Sequence, residues 1–165
     1  MGIKLIQKII SGGQTGADRA ALDWAIEHGI PCGGWCPKGR KAEDGTISAI
    51  YQLQETPSMD YEERTEWNVR DSDATVIFTE FPQLTAGSLI TAQFAAQHWK
   101  PWIHLPWGAG SLELFKQFLD FRKPRVLNVA GSRLSLASNI EKWVKSALDV
   151  TLVNSKFKIS FKRHP

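Results

Sequence analysis

Short apolar runs alternate along the chain with helix-periodic segments. The first run, Leu5 to Ile10, is broken by Gln7 and Lys8 and stops at Ser11-Gly12-Gly13-Gln14-Thr15-Gly16. Ala17, Ala20, Ala21, Trp24 and Ala25 then recur on one helical face, small enough to lie close against a sheet. Gly29 and Pro31 stop that helix. Cys32 to Cys36 reads as a short second strand. Residues 37–60, rich in Lys, Gly, Pro and Ser, read as a loop. Such a length is uncommon in a compact domain unless the segment is functional or partly structured.

A helix is expected from about Tyr61 to Val69, and Ala74 to Thr79 is a continuous strand pattern. A second Gly/Ser turn, Thr85-Ala86-Gly87-Ser88, leads into a helix from Leu89 to Trp99. Pro101 to Leu105 is the next strand, Ser111 to Phe121 the next helix, and Arg125 to Ala130 the fifth strand, followed by Gly131-Ser132-Arg133. The last helix opens at Ser138, where Ser138 and Glu141 have capping-box spacing. Its apolar face is Ile140, Trp143, Val144, Ala147 and Leu148. Strands alternating with helices, the strands nearly all apolar, predict a doubly wound α/β fold: a mostly parallel five-stranded sheet with helices on both faces. No internal repeat or second domain is legible, so residues 1–150 are expected to form one ligand-binding domain and 151–165 a basic tail.

Composition narrows the function classes. The chain has 165 residues, 42% hydrophobic and 22% charged, as in a globular domain. A net charge of +3 is too small to argue for nucleic acid by itself. Lys38, Arg40 and Lys41 cluster near one loop, which suits a small anionic ligand; the basic residues of the tail read as a solvated end. Two cysteines, Cys32 and Cys36, make neither a zinc site nor a C-x-x-C pair and read as buried strand residues. No run has the length of a membrane span and no signal peptide is legible, so neither nucleic acid nor membrane is expected as a partner and the cytoplasm is the expected compartment.

In an open parallel sheet, ligands bind outside the carboxyl ends of the strands. Three strand ends here carry suggestive turns: Gly12 to Gly16, Gly87-Ser88, and Gly131 to Arg133. Glycines let a backbone approach a ligand, and the helix after Gly16 offers unpaired N–H groups and a positive dipole end, where phosphate is the natural occupant. The turn matches neither G-x-G-x-x-G nor the Walker pattern. Thr15 and Asp18 fit a helix cap as well as a ligand contact, and Ser88 fits an N-cap as well as a ligand contact with Thr91. Arg133 is an anion contact or a surface charge. Arg64 and Asn68 share a helix face at i and i+4, either closing over a ligand or lying on a solvated helix. The histidines are dispersed, no Gly-x-Ser-x-Gly elbow exists, and no catalytic constellation stands out, although Asp18, Glu43 and Asp44 keep acid–base chemistry open.

The stretch Ser11 to Ala20 (SGGQTGADRA) resembles the opening of the molybdenum cofactor carrier proteins. So do Gly34 to Arg40 with Ala42 to Gly45, Arg64 to Val69 with Asp71 to Asp73, and Asn128 to Gly131. The resemblance spans about residues 4–149 and implies a Rossmann-like fold, related to cytokinin-activating phosphoribohydrolases and the DNA-processing protein A group. It implies a carrier of molybdenum cofactor (molybdopterin) or molybdate, with molybdoenzymes as recipients and a homo-oligomeric state. It implies that the protein need not ligate the metal, since the cofactor holds molybdenum through its own dithiolene. Carried over, Gly12, Gly13, Thr15 and Gly16 would meet the phosphate, with Gln14, Asp18 and Arg19 in the same stretch. Gly87, Ser88 and Thr91 would form the opposite wall; Lys38, Arg40 and Arg64 would balance charge; Asn68, Gly131 and Arg133 complete the expected site. Two departures stand out: Ser132 where the family has Pro, and Ala86-Gly87-Ser88 with Thr91 in place of the phosphoribohydrolase Pro-Gly-Gly-x-Gly-Thr-x-x-Glu motif, without its Glu. The alternative is an enzyme or sensor acting on a nucleotide or its N-glycosidic bond.

Overall fold

A computed structural model describes residues 6–153. Its centre is a five-stranded sheet built from β1 (Lys8–Ile10), β2 (Cys32–Gly33), β7 (Ala74–Thr79), β8 (Trp102–Pro106) and β9 (Val126–Gly131). Every pairing in this sheet is parallel, in the order β2-β1-β9-β7-β8. The helices are α1 (Ala17–Glu27), α2 (Tyr61–Arg70), α3 (Ala86–Gln97), α4 (Ala109–Arg122) and α5 (Ile140–Leu148), which runs on into a π-helical turn, Asp149–Val153. The expected Rossmann-like α/β architecture is the one observed.

Counting β9 first, the sheet order becomes 3-2-1-4-5, the first five strands of the dinucleotide-binding order 3-2-1-4-5-6. The chain therefore enters that arrangement one strand late. The strand order reverses between β9 and β7, and there the carboxyl ends of neighbouring strands diverge into loops on opposite sides, opening a crevice.

Alternation along the strands assigns the two faces. Ile9, Val76, Phe78, Leu127 and Val129 join the alanines of α1, Phe115 and Leu119 of α4, and Trp143 and Val144 of α5 in one continuous core. Phe78 stands edge-on to both Phe115 and Trp143. The opposite face carries buried polar groups in otherwise apolar strands: Thr75 and Thr79 on β7 and Asn128 on β9, with Asn128 Nδ2 donating to Thr75 Oγ1 at 3.2 Å. α2 and α3 pack together over this face.

Three expectations are corrected. Cys32 to Cys36 is two strands: β2 joins the main sheet, whereas β3 (Trp35–Cys36) pairs in parallel with β6 (Gln54–Glu55). The break falls at Gly34, with φ 126; a Cβ there would lie 2.3 Å from the Ser11 carbonyl oxygen, so only glycine fits. The supposed loop is ordered by β6, by the hairpin of β4 (Lys41–Ala42) and β5 (Gly45–Thr46), and by a second small core of Leu22, Cys36, Ala42, Ile47, Tyr51 and Leu53. Finally, Ser138 and Glu141 form no capping box. Asn139 precedes α5, and its backbone N–H and side-chain amide donate to the Glu80 carboxylate.

Arg40 organises the 37–60 segment. Its guanidinium donates to the carbonyls of Ile47, Ser48, Tyr51 and Leu53 at 2.7–3.2 Å. Lysine cannot reproduce this fork. Arg40→Lys is expected to cost about 2 kcal/mol, given the strength of hydrogen bonds to charged groups. Limited proteolysis should then cut between residues 41 and 60 while the main sheet stays intact; uncut variant protein would refute this role.

Candidate functional site

A cavity of about 330 Å³ lies at the carboxyl ends of β1, β7 and β9, where the strand order reverses. That is the lower end of ligand pockets, roughly 300–1,000 Å³. β1 and the turn after it contribute Gly12, Gln14 and Asp18; α2 contributes Arg64, Thr65 and Asn68; the β7–α3 connection and α3 contribute Thr79, Phe81, Gln83, Thr85, Gly87, Ser88 and Thr91. β9 and its loop add Asn128 to Arg133 and Leu136. Gln14, Asp18, Arg64, Asn68, Thr79, Ser88, Thr91 and Asn128 are all buried. Polar side chains are rarely buried without partners, and here Gln14 Nε2 has none, which makes this void the candidate site.

In the first turn, three backbone amides are already engaged within the protein. Gln14 N–H donates to Asp18 Oδ2 at 3.3 Å, Thr15 N–H to Gln14 Oε1 at 3.0 Å, and Ala17 N–H to the Ser132 carbonyl at 3.0 Å. Asp18 sits in the first turn of α1, so the positive end of that helix already has a carboxylate. Arg64 Nη1 lies 3.5 Å from Asp18 Oδ2 and donates to the Gly12 carbonyl at 2.7 Å. Burial pushes the Asp18 carboxyl above its usual range and the Arg64 guanidinium below its own, while each partner pulls the other back. Desolvation thus outweighs attraction for both members of the pair.

The start of α3 is different. No acidic residue lies in its first turn, and a Cβ on Gly87 would meet nothing within 4 Å. Thr85 is the residue at the N-cap; Ser88 stands inside the helix, its Oγ accepting from Thr85 N–H at 3.1 Å and donating to Thr85 O at 2.7 Å. Thr91 Oγ1 donates to the Gly87 carbonyl at 2.8 Å. This helix begins at Ala86, three residues before the expected Leu89, and its N-terminus opens on the cavity.

Of the expected site residues, Gly12, Gln14, Asp18, Arg64, Asn68, Gly87, Ser88, Thr91, Gly131 and Arg133 come together around the cavity. Gly13, Thr15, Gly16, Arg19, Lys38 and Arg40 do not line it. A Cβ on Gly13 would strike Leu53 Cδ1 at 2.5 Å, and one on Gly16 the Ser132 carbonyl oxygen at 2.4 Å. Thr15 Oγ1 bonds the Glu43 carboxylate and accepts from Leu134 N–H. Arg19 pairs with Asp44 and donates to Gly13 O. Lys38 is exposed, and Arg40 is spent on carbonyls. Asn68 lines the cavity yet uses both ends of its amide on the Trp35 backbone. Thr79, Phe81, Thr85, Asn128 and Leu136 were not anticipated. Thr79 and Asn128 had a readable signal, as polar residues inside apolar strands, and Thr85 had one as the first residue of the Gly/Ser turn; Phe81 and Leu136 had none. Among the described residues, no group of three or more His, Cys, Asp or Glu could hold a metal ion, and no helix is long and apolar enough to cross a membrane.

A permuted 3-2-1-4-5 parallel sheet with a polar cavity at its switch point defines a Rossmann-like α/β protein. Residues 9–152 match the circularly permutated YpsA SLOG family, and the chain belongs to that family. The rotated strand order is the structural counterpart of that description. The chain is also similar to a solved protein from Syntrophus aciditrophicus SB named "Putative molybdenum carrier protein", with 47% sequence identity, a TM-score of 0.87, and 90% of this chain and 96% of that one covered. No curated protein matches.

Proposed function

We propose that this protein binds a small phosphorylated ligand with a flat polar ring, as a carrier of molybdenum cofactor or a related molybdenum species. The observation that carries the reading is the cavity itself: buried polar walls, a helix N-terminus with no acid in its first turn, and two arginines against one aspartate. The phosphate is placed at the start of α3, at Gly87, because α1 already has Asp18; the Ser88 N–H is shared with Thr85 O. Gln14 Nε2, buried and without a partner, supplies a donor for the ring. Phe81 and Leu136 offer apolar edges. Such a site suits a cofactor that brings its own dithiolene ligands to the metal, since the protein needs to hold only phosphate and ring. The similarity to a protein named a molybdenum carrier supports the same cargo. On this reading the protein works in the cytoplasm as a homo-oligomer, with molybdoenzymes as recipients. Residues 1–150 act as one ligand-binding domain. Of the basic tail, residues 154–165 lie outside the described residues, while Leu152 and Val153 pack on the core.

The test is elemental analysis with mass spectrometry of what the purified native protein retains, followed by affinity measurements on Gly87→Asp. Gly87 has room for a side chain, so this variant should fold. A carboxylate at the helix start should weaken binding of a phosphorylated ligand by about 100-fold or more, from like-charge repulsion and the loss of a charge-assisted contact. Unchanged affinity would remove the phosphate from α3.

One observation favours a second reading, turnover of a nucleotide. Asp18 is a buried carboxyl facing the cavity with its pKa raised by desolvation, the condition of a general acid. Incubation with nucleoside monophosphates distinguishes the two: release of free base would make the protein an enzyme, and retention of intact ligand a binder.

A further inference from the structure

Three cations converge on one aromatic ring beside the cavity. Lys41 Nζ stands 5.3 Å from the Tyr61 ring centroid, Arg64 Cζ 5.3 Å and Arg133 Cζ 5.7 Å. They come from β4, α2 and the loop after β9, elements far apart in sequence, so the grouping is tertiary. Arg64 and Arg133 line the cavity, and Lys41 lies at the exposed side of the ring.

Their charges are unequally spent. Arg64 faces Asp18 and donates to Gly12 O and Tyr61 O. Arg133 lies 3.9 Å from the Glu43 carboxylate, which already accepts from Ser135 and Thr15, and it also attracts Asp18 at longer range. Among the described residues, Lys41 has no carboxylate within ion-pair distance, and neither Lys41 nor Arg133 makes a side-chain hydrogen bond. Burial is the main cause of the lowered Arg64 pKa, and repulsion from Arg133 adds to it. Three cations against two carboxylates, Asp18 and Glu43, leave one positive charge over, and the ring quadrupole offsets the repulsion only in part. Arg64 and Arg133 are close enough to repel, Lys41 shares their ring, and cations gathered with free donors are the form of an anion site.

We infer that Lys41, Arg133 and Tyr61 form, with Arg64 behind them, a second oxyanion subsite at the mouth of the cavity, so that the ligand carries two separated anionic groups. This rests on the proposed binding of a phosphorylated ligand, whose first phosphate lies at α3. The second group is a tetrahedral oxyanion, either another phosphate or an oxo-anion of molybdenum. Tyr61 acts through its ring face, holding the cations in register.

Titration calorimetry with inorganic phosphate and, separately, molybdate, at fixed ionic strength, tests this. Lys41→Met and Arg133→Met are each expected to weaken oxyanion binding by about tenfold, the worth of one charge-assisted contact. The double variant should lose one of two binding equivalents. Tyr61→Phe, which keeps the ring, should bind as wild type, while Tyr61→Leu should weaken binding although neither donor is removed. Tighter binding of phosphate assigns the group to a ligand phosphate, and tighter binding of molybdate to the metal oxyanion. Wild-type affinity and stoichiometry in the double variant, or no binding of either anion to wild type, would overturn the inference. Gly87→Asp separates the two readings: it should remove the α3 equivalent and leave the mouth equivalent in place.

Discussion

Arg64→Leu is expected to lower the unfolding free energy by about 3–5 kcal/mol at neutral pH, the usual cost of stranding one member of a buried ion pair. Asp18 would keep its burial and lose the guanidinium that most restrains its pKa. Gly12 O would lose its donor as well. The loss should depend on pH. In the folded protein burial raises the Asp18 pKa above its ordinary value of 3.8, so the folded state holds this proton more tightly than the unfolded chain. Stability from this group is therefore greatest below 3.8, falls as pH rises toward the folded pKa, and is constant above it. Without Arg64 the folded pKa moves higher and the decline extends further. Urea midpoints measured against pH should show this, and adding Asp18→Asn to Arg64→Leu should flatten the curve. An Arg64→Leu curve parallel to wild type would show that the pair is not coupled.

Gly16→Ala should be nearly as damaging, through the backbone. Gly16 has φ 83 and ψ −127, a region that glycine adopts and L side chains rarely do. A Cβ there would also fall 2.4 Å from Ser132 O and 2.8 Å from Leu134 N, both backbone atoms that cannot swing away. Strain and overlap together are expected to cost about 3 kcal/mol or more. The signature is a large drop in denaturation midpoint at any ligand concentration. Were Gly16 instead a phosphate contact, the midpoint without ligand would barely change and affinity alone would fall, which is the result that would refute this role. The close approach ties the first turn to the loop after β9, joining two walls of the cavity.

Much of the architecture was legible because its cause is local. Mostly apolar runs at 74–79 and 125–130 and the small-residue face of 17–25 record burial on both sides of a parallel sheet, which period and residue size express directly. The 37–60 segment misled because its order comes from Arg40 gathering carbonyls and from a six-residue satellite core, neither of which has a period. The Ser138–Glu141 spacing misled because a distant Glu80 serves the start of α5 better than a local box.

What the amino-acid sequence determined by itself was the parallel α/β class, the glycine-bearing strand ends, and the residue types that a phosphorylated ligand would need. Those follow from chain-local rules of burial, backbone freedom and hydrogen-bonding capacity. Only the tertiary structure decided which strand end faces the cavity with its helix open. Glycine is equally permissive beside open space and beside a neighbouring backbone, as Gly87 and Gly16 show. The two helix starts differ because the first has an acid of its own and the second has none. That Lys41, Arg64 and Arg133 share one ring was likewise a matter of three-dimensional proximity, which no spacing along the chain encodes.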